Sequence, residues 1–217
     1  MKDIYGVIWD MDGVLVDTGT FHYQSWCETL AEYGFTFSYE TFRKTFGMNN
    51  EGLLRRMLGQ RYNHGLFREI SERKEASFRE MIRGRVQVLP GVRSLLEALN
   101  GANYPQAIAS SAPQANIDAI IAELKLDSYF QAVISAEAMP SKPDPAVFLT
   151  AAKKLGVLAE KCVVIEDAIA GVKAARRGGM KCVAVTTTNR AQDLAAADLV
   201  VNRLDRLKVA DLLALVG

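Results

Sequence analysis

Short runs of apolar, mostly β-branched residues recur along the chain at 5–9, 106–109, 132–134, 162–165, 182–185 and 199–201. They are apolar at nearly every position rather than at alternate ones, which predicts strands buried on both faces of a parallel sheet. Helical spacing fills the intervals between the later runs. Val92, Leu95, Leu96 and Leu99 form an i, i+3, i+4, i+7 stripe, and Ile117, Ile120, Ile121 and Leu124 repeat it. Helices are predicted over 92–99, 116–124, 145–155 and 169–177, the last stopped by Gly178-Gly179. Alternating strands and helices at this spacing predict an α/β fold, a Rossmann-like parallel sheet with helices on both faces.

Residues 17–87 break that rhythm. They carry almost no strand pattern, but helical ones at 23–33, 51–58 and 67–82, punctuated by Gly34, Gly47 and Gly84. A helical block placed between the first strand and the second reads as a cap. The expected organisation is an α/β core of residues 1–16 and 88–217 with an inserted all-helical cap domain, 17–87.

Charge narrows the function classes. Lys and Arg total 26 against 25 Asp and Glu, a formal net charge of +1, so no broad field draws nucleic acid or an anionic membrane. The stretch richest in basic residues, 68–85, also holds Glu69, Glu72, Glu75 and Glu80, as a solvated helix does. Cys27, Cys162 and Cys182 have neither the density nor the spacing of a disulfide scaffold or zinc site. Cys162 and Cys182 open apolar runs and read as small buried hydrophobes. Met1-Lys2-Asp3-Ile4-Tyr5-Gly6 lacks the apolar stretch of a signal peptide, and no later run is long enough to span a bilayer. The expectation is a cytoplasmic monomer without a nucleic-acid or membrane partner.

Candidate chemistry gathers where parallel sheets bind ligands, at the carboxyl ends of strands. In Trp9-Asp10-Met11-Asp12-Gly13-Val14, an extended chain would aim both carboxylates to one side. Gly13 then permits a turn that other residues resist. Paired carboxylates suit a hard divalent cation and set a nucleophile beside a proton donor. Ser110-Ser111, Lys142 in Ser141-Lys142-Pro143-Asp144-Pro145, and Glu166-Asp167 follow three later strands, with Gly171 in the helix beyond. Each has a plainer reading. Asp and Gly commonly end strands, Ser110 suits a helix N-cap, Lys142 suits solvent, and the two acids suit a helix N-terminus. Four such points on one edge of one sheet argue for a site.

These four motifs, in this order, resemble those of the haloacid dehalogenase superfamily, in its phosphatase and phosphomutase branch with a helical cap after the first strand. The resemblance covers essentially the whole chain. It implies that Asp10 is the nucleophile that becomes an aspartyl-phosphate and that Asp12 is the general acid/base. Ser110 and Lys142 would hold the phosphoryl group, with Gly13 and Ser111 beside the substrate. It further implies Mg²⁺, bound by Asp10, the main-chain carbonyl of Asp12, and Asp167, with Glu166 ligating or supporting it. An aspartate with an ordinary pKa near 3.9 needs no base, so repulsion is the expected obstacle. Two unit charges about 4 Å apart cost roughly 4 kcal/mol at an effective dielectric of 20. Mg²⁺ and Lys142 would offset that for an incoming phosphate dianion. Dehalogenating relatives characteristically lack the second acid and the metal site, so Asp12, Glu166 and Asp167 point to phosphate chemistry.

The cap sets the substrate. His22 lies just past the Asp17-Thr18 exit from the core, near enough to touch a ligand, though a packed histidine fits equally. Phe46-Gly47-Met48-Asn49-Asn50 resembles the loop that reaches over the site in β-phosphoglucomutase-like relatives, where an arginine grips a second phosphate. Asn50 stands at that position here, a neutral amide in place of a bidentate ligand. Arg55, Arg56 or Lys74 could substitute, and Lys74 matches a lysine of the mutase cap. The expected activity is hydrolysis of a small phosphorylated metabolite, of sugar phosphate or phosphoglycolate type. A β-phosphoglucomutase-like mutase stands second and a non-catalytic metabolite-binding protein third.

Overall fold

The computed structural model describes residues 5–217. The first four residues of the N-terminal segment read above for a signal peptide lie outside that span. Among the described residues six strands form one parallel sheet: β1 (Gly6–Trp9), β2 (Gln106–Ser110), β3 (Ala132–Ser135), β4 (Cys162–Glu166), β5 (Lys181–Val185) and β6 (Leu199–Val201). Their order is β3-β2-β1-β4-β5-β6. The six apolar runs of the sequence thus fall on the six strands to within a residue or two.

Alternation along the strands builds a core on each face of the sheet. Val7, Trp9, Val163 and Ile165 pack with α5 (Val92–Gly101), α6 (Gln114–Leu124) and α9 (Val209–Val216). Ile8, Cys162, Val164 and Cys182 pack with α7 (Ala146–Leu155) and α8 (Ile169–Arg177) on the other face. Both strand cysteines are fully buried there, as expected of small apolar residues. Among the described residues, no helix is long and apolar enough to cross a membrane.

The insert between β1 and β2 is helical: α1 (Gly19–Glu32), α2 (Tyr39–Thr45), α3 (Asn50–Leu58) and α4 (His64–Ile82). It has its own core of Trp26, Leu30, Phe42, Leu54 and Ile70. α2 was not legible from apolar spacing because it makes only two turns. Its signal is the N-cap, where the Ser38 hydroxyl accepts the Thr41 N–H at 3.1 Å. The two passages between insert and core meet in a bridge between Val16 and Val88.

One side chain ties the insert to the far strand loops. Asn49 caps α3 by accepting the Gly52 N–H at 2.9 Å, while its amide donates to Ala136 O and Met139 O, both at 3.0 Å. Its own N–H donates to Ser141 Oγ at 3.1 Å, and Ser111 Oγ donates to Gly47 O at 2.7 Å. Asn49→Ala removes a helix cap and both amide bonds at once. The expected result is a loss of about 1–2 kcal/mol and faster hydrogen exchange confined to α3 and the 136–141 loop. Unchanged exchange there would contradict the docking role.

Candidate active site

The strand order reverses between β1 and β4, and the crevice outside that point is where open α/β sheets bind ligands. The Asp10 N–H still pairs with Ile165 O at 3.0 Å, so strand pairing carries the carboxylate to the edge of the crevice. The chain then turns sharply, with the N–H groups of Val14, Leu15 and Val16 all donating to Met11 O. Gly13 is required there twice over. Its φ is +85°, and a Cβ would sit 1.9 Å from Asp167 Oδ2.

Beneath the crevice lies a buried charge cluster. Lys142 Nζ donates to Asp10 Oδ1 at 2.6 Å and to Glu166 Oε1 at 2.7 Å. Lys142 is 1% exposed, so the solvated reading fails. The other Glu166 oxygen accepts the N–H groups of Asp167 and Ala168, at 2.8 and 2.7 Å. Gly171 makes room for this carboxylate, since a Cβ on α8 would lie 1.7 Å from Glu166 Oε1. Asp167 Oδ2 accepts from the Thr188 hydroxyl, and the Asp167 carbonyl accepts from Asn189 Nδ2 at 3.0 Å. Its Oδ1 is buried with no partner among the described residues.

Three carboxylates face one ammonium, and the charges do not cancel. Burial, with Glu166 adding to it and Lys142 opposing, pushes Asp10 up to about 8. Burial and its two acid neighbours likewise push Asp167 well above the carboxylate range. The expectation that Asp10 ionises at its ordinary pKa is therefore corrected, because this pocket opposes the charged form until a further cation arrives. Oxygens of Asp10, Glu166 and Asp167 lie within 4.8 Å of one another. With the orphaned Asp167 oxygen, that donor set fits a hard divalent ion. The buried trio is a possible metal site.

Asp12 belongs to a different neighbourhood. Its Oδ1 accepts from the Thr18 hydroxyl and lies 3.2 Å from His22 Nε2. His22 Nδ1 is 2.8 Å from Lys74 Nζ, and Lys74 donates to Glu75 Oε1 at 2.8 Å. An ammonium can only donate, so Nδ1 accepts and the imidazole proton sits on Nε2, close to Asp12 but not aligned into a hydrogen bond with it. His22 stacks on Phe78 with ring centroids 3.9 Å apart, which fixes its plane. Burial alone would raise Asp12, but His22, Thr18 and Lys74 outweigh it and hold it below the usual range. In this form Asp12 is ionised, the state of a base.

Asp10, Asp12, His22, Gly47, Asn50, Lys74, Ser110 and Ser111 line one cavity between insert and sheet. Gly13, Lys142, Glu166 and Asp167 stand behind it. Ser110 is not the N-cap of α6, a place taken by Pro113; its hydroxyl oxygen accepts the Ala112 N–H at 3.1 Å. Neither Arg55 nor Arg56 reaches the cavity: both are exposed, and Arg55 is held by Glu51 and lies over the Tyr62 ring. Sequence reasoning missed Thr188 and Asn189, although Thr186-Thr187-Thr188-Asn189 is again a polar run at the carboxyl end of a strand. It also missed Glu75 and Asn116, which no local pattern marks.

A doubly wound parallel sheet, a helical insert over its carboxyl edge and an acid-and-lysine cluster at the strand reversal define a capped α/β enzyme. The chain belongs to the haloacid dehalogenase-like hydrolase family, which it matches over residues 7–185, in the branch of sugar phosphatases and β-phosphoglucomutases. It is 33% identical over 185 residues to the fructose-1-phosphate phosphatase YqaB of Escherichia coli (strain K12), covering 83% of this chain and 95% of that one. It is 31% identical over 211 residues to the chloroplastic 5-amino-6-(5-phospho-D-ribitylamino)uracil phosphatase of Arabidopsis thaliana. That match takes in 95% of this chain but only 56% of the longer relative. Among solved structures, the β-phosphoglucomutase of Clostridium difficile superposes with a TM-score of 0.89 at 27% identity, over 98% of this chain and 96% of that one.

Proposed function

We propose that the chain is a Mg²⁺-dependent phosphatase that hydrolyses a small phosphomonoester of sugar phosphate or phosphoglycolate type through an aspartyl-phosphate on Asp10. One observation carries it: Asp10, held by Lys142 beside the orphaned Asp167 oxygen, opens on the same cavity as Asp12. In this reading residues 1–16 and 88–217 carry the chemistry and 17–87 cover it.

Asp10 and Asp167, with the main-chain carbonyl of Asp12, would hold Mg²⁺, which supplies positive charge against the transferring phosphoryl group. Glu166 supports rather than ligates, because its oxygens already serve Lys142 and two backbone N–H groups. Asp10 attacks phosphorus as the bond to the leaving oxygen breaks, and Asp12 delivers a proton to that oxygen. Water then attacks phosphorus, Asp12 takes its proton, and the Asp10–phosphorus bond breaks to release inorganic phosphate. Asp12 must therefore gain a proton when the dianion enters, whose charge favours the neutral acid. Ser110, whose oxygen accepts the Ala112 N–H and whose hydrogen is uncommitted, donates to a phosphoryl oxygen from the mouth of β2, with Ser111 beside it held to Gly47 O.

Hydrolysis is preferred to mutase chemistry because Asn50 donates to Glu75 Oε1 at 2.8 Å and no arginine lines the cavity. Phosphate release from a panel of small phosphomonoesters tests this. Turnover should be present with Mg²⁺ and abolished by EDTA. Conversion of β-glucose 1-phosphate with a bisphosphate primer, and no phosphate release, would transfer the reading to the mutase.

A further inference from the structure

Glu75 is the one acid of the cavity that the proposed reaction leaves without a task. It lies on α4, 5% exposed, and faces the same space as Asp10 and Asp12. Its Oε1 accepts from Lys74 Nζ and Asn50 Nδ2, both at 2.8 Å, and its Oε2 accepts from Asn116 Nδ2 at 2.5 Å. The Asn116 oxygen in turn accepts from Arg79 Nη1 at 2.9 Å. One carboxylate therefore joins α3, α4 and the core helix α6 at a fixed point. Burial resists its ionisation, but Lys74 and the Asn50 amide outweigh that and keep it charged.

The charges around the cavity are unequal. Three acids line it, Asp10, Asp12 and Glu75, against one lysine, Lys74. The Lys74 ammonium is already committed to Glu75 and to His22 Nδ1. Lys142 lies behind Asp10 and is committed to the acids there. The remaining cap wall is apolar or neutral, with Trp26, Phe42 and Leu53 beside Thr45 and Asn50. A phosphate at Asp10 has Lys142 behind it and the proposed Mg²⁺ beside it; a second anionic group at the cap end finds no unpaired cation among the described residues.

We propose that Glu75 is a specificity-determining residue: its fixed negative charge neutralises Lys74 and turns away a second anionic group. Substrates then carry one phosphate on an uncharged, hydroxyl-bearing body, which narrows the proposed function to the sugar phosphate type and turns away phosphoglycolate with its carboxylate. The inference rests on the phosphatase reading only in seating the first phosphate at Asp10. Selectivity arises here by repelling the competitor as much as by holding the substrate.

The test compares fructose 1-phosphate with fructose 1,6-bisphosphate, by calorimetric binding with Mg²⁺ present, in an Asp10→Asn background that blocks turnover. With Glu75 intact, the monophosphate should bind about tenfold or more tightly than the bisphosphate, the scale of one close like-charge contact. Glu75→Gln keeps the shape and removes the charge, and should bring the two within roughly threefold through tighter bisphosphate binding. Glu75→Asp keeps the charge and should keep the preference, even if shortening the side chain costs stability. An unchanged preference in Glu75→Gln, or its loss in Glu75→Asp, overturns the proposal. Because binding is read without turnover, absence of phosphate release from every monoester would sink the phosphatase reading and leave the charge preference measurable.

Discussion

Replacing Asp10 by Asn is expected to lower phosphate release by ~10⁴-fold or more, because an amide cannot form the acyl-phosphate and no neighbouring group can take its place. Glu166 is held by Lys142 and two backbone N–H groups, and Asp167 is held by Thr188. The same variant has a second, independent signature. A buried acid whose folded pKa exceeds its unfolded value takes up a proton on folding, so stability falls as pH rises between the two. For Asp10 that window runs from its ordinary 3.8 to about 8, and Asp167 is shifted in the same direction. Without metal, the melting temperature of the unsubstituted protein should decline as pH is raised from 5 to 8. Asp10→Asn should flatten that decline, and saturating Mg²⁺ should flatten it in the parent. A parent melting temperature that ignores pH in EDTA would contradict the assigned burial of these acids.

Lys142→Met carries the second large effect. Among the described residues its ammonium is the one positive group in contact with both Asp10 and Glu166, and it is essentially without solvent contact. Methionine fills much of the volume but leaves those carboxylates without their counter-ion. Removing one partner of a buried pair typically costs about 3–5 kcal/mol. In a chain of 217 residues that corresponds to a fall in melting temperature of roughly 10 °C. Turnover should fall by ~10²–10³-fold or more, since a preorganised positive contact to the transferring group is lost. Mg²⁺ should restore part of the stability, as a bound cation relieves the same repulsion, but little of the activity. A variant that melts like the parent in EDTA would show that no buried charge there depends on Lys142.

The sheet was legible because burial on both faces leaves nearly continuous apolar runs, and such runs survive in the sequence whatever surrounds them. Asp10, Ser110, Lys142 and Glu166-Asp167 were legible for a related reason. The fold fixes where ligands bind, so polar residues that end apolar strands acquire meaning from position. Thr188 followed the same rule and could have been read by it. The cap was harder. Glu75 meets Asn116 across 41 positions of sequence and Asn50 across 25, and nothing in a charged helix distinguishes its one buried glutamate from its exposed ones. Lys142 illustrates the converse. Its motif put it on the loop after β3, where it meets Asp10 and Glu166, but its depth, and the upward displacement of Asp10 that goes with that depth, are properties of packing. Arg55 failed as a phosphate ligand for an equally local reason, since Glu51 one turn earlier claims it.

The partners of Asp12 come from both the passage out of the core and the insert beyond it. Asp12 belongs to the sheet edge, Thr18 to the passage leading out, and His22 to the first helix of the insert, with Lys74 behind it. Any swing of the insert that admits water would also draw His22 and Lys74 away from Asp12. With the proposed roles of Asp10 and Asp12, the arrangement would act as an interlock, in which access to the phosphorylated nucleophile and the setting of the proton carrier follow one movement. Solvent that arrives while the insert stands away from the sheet meets a carboxylate deprived of its tuning, and the proton shuttle is reassembled only when the crevice is covered.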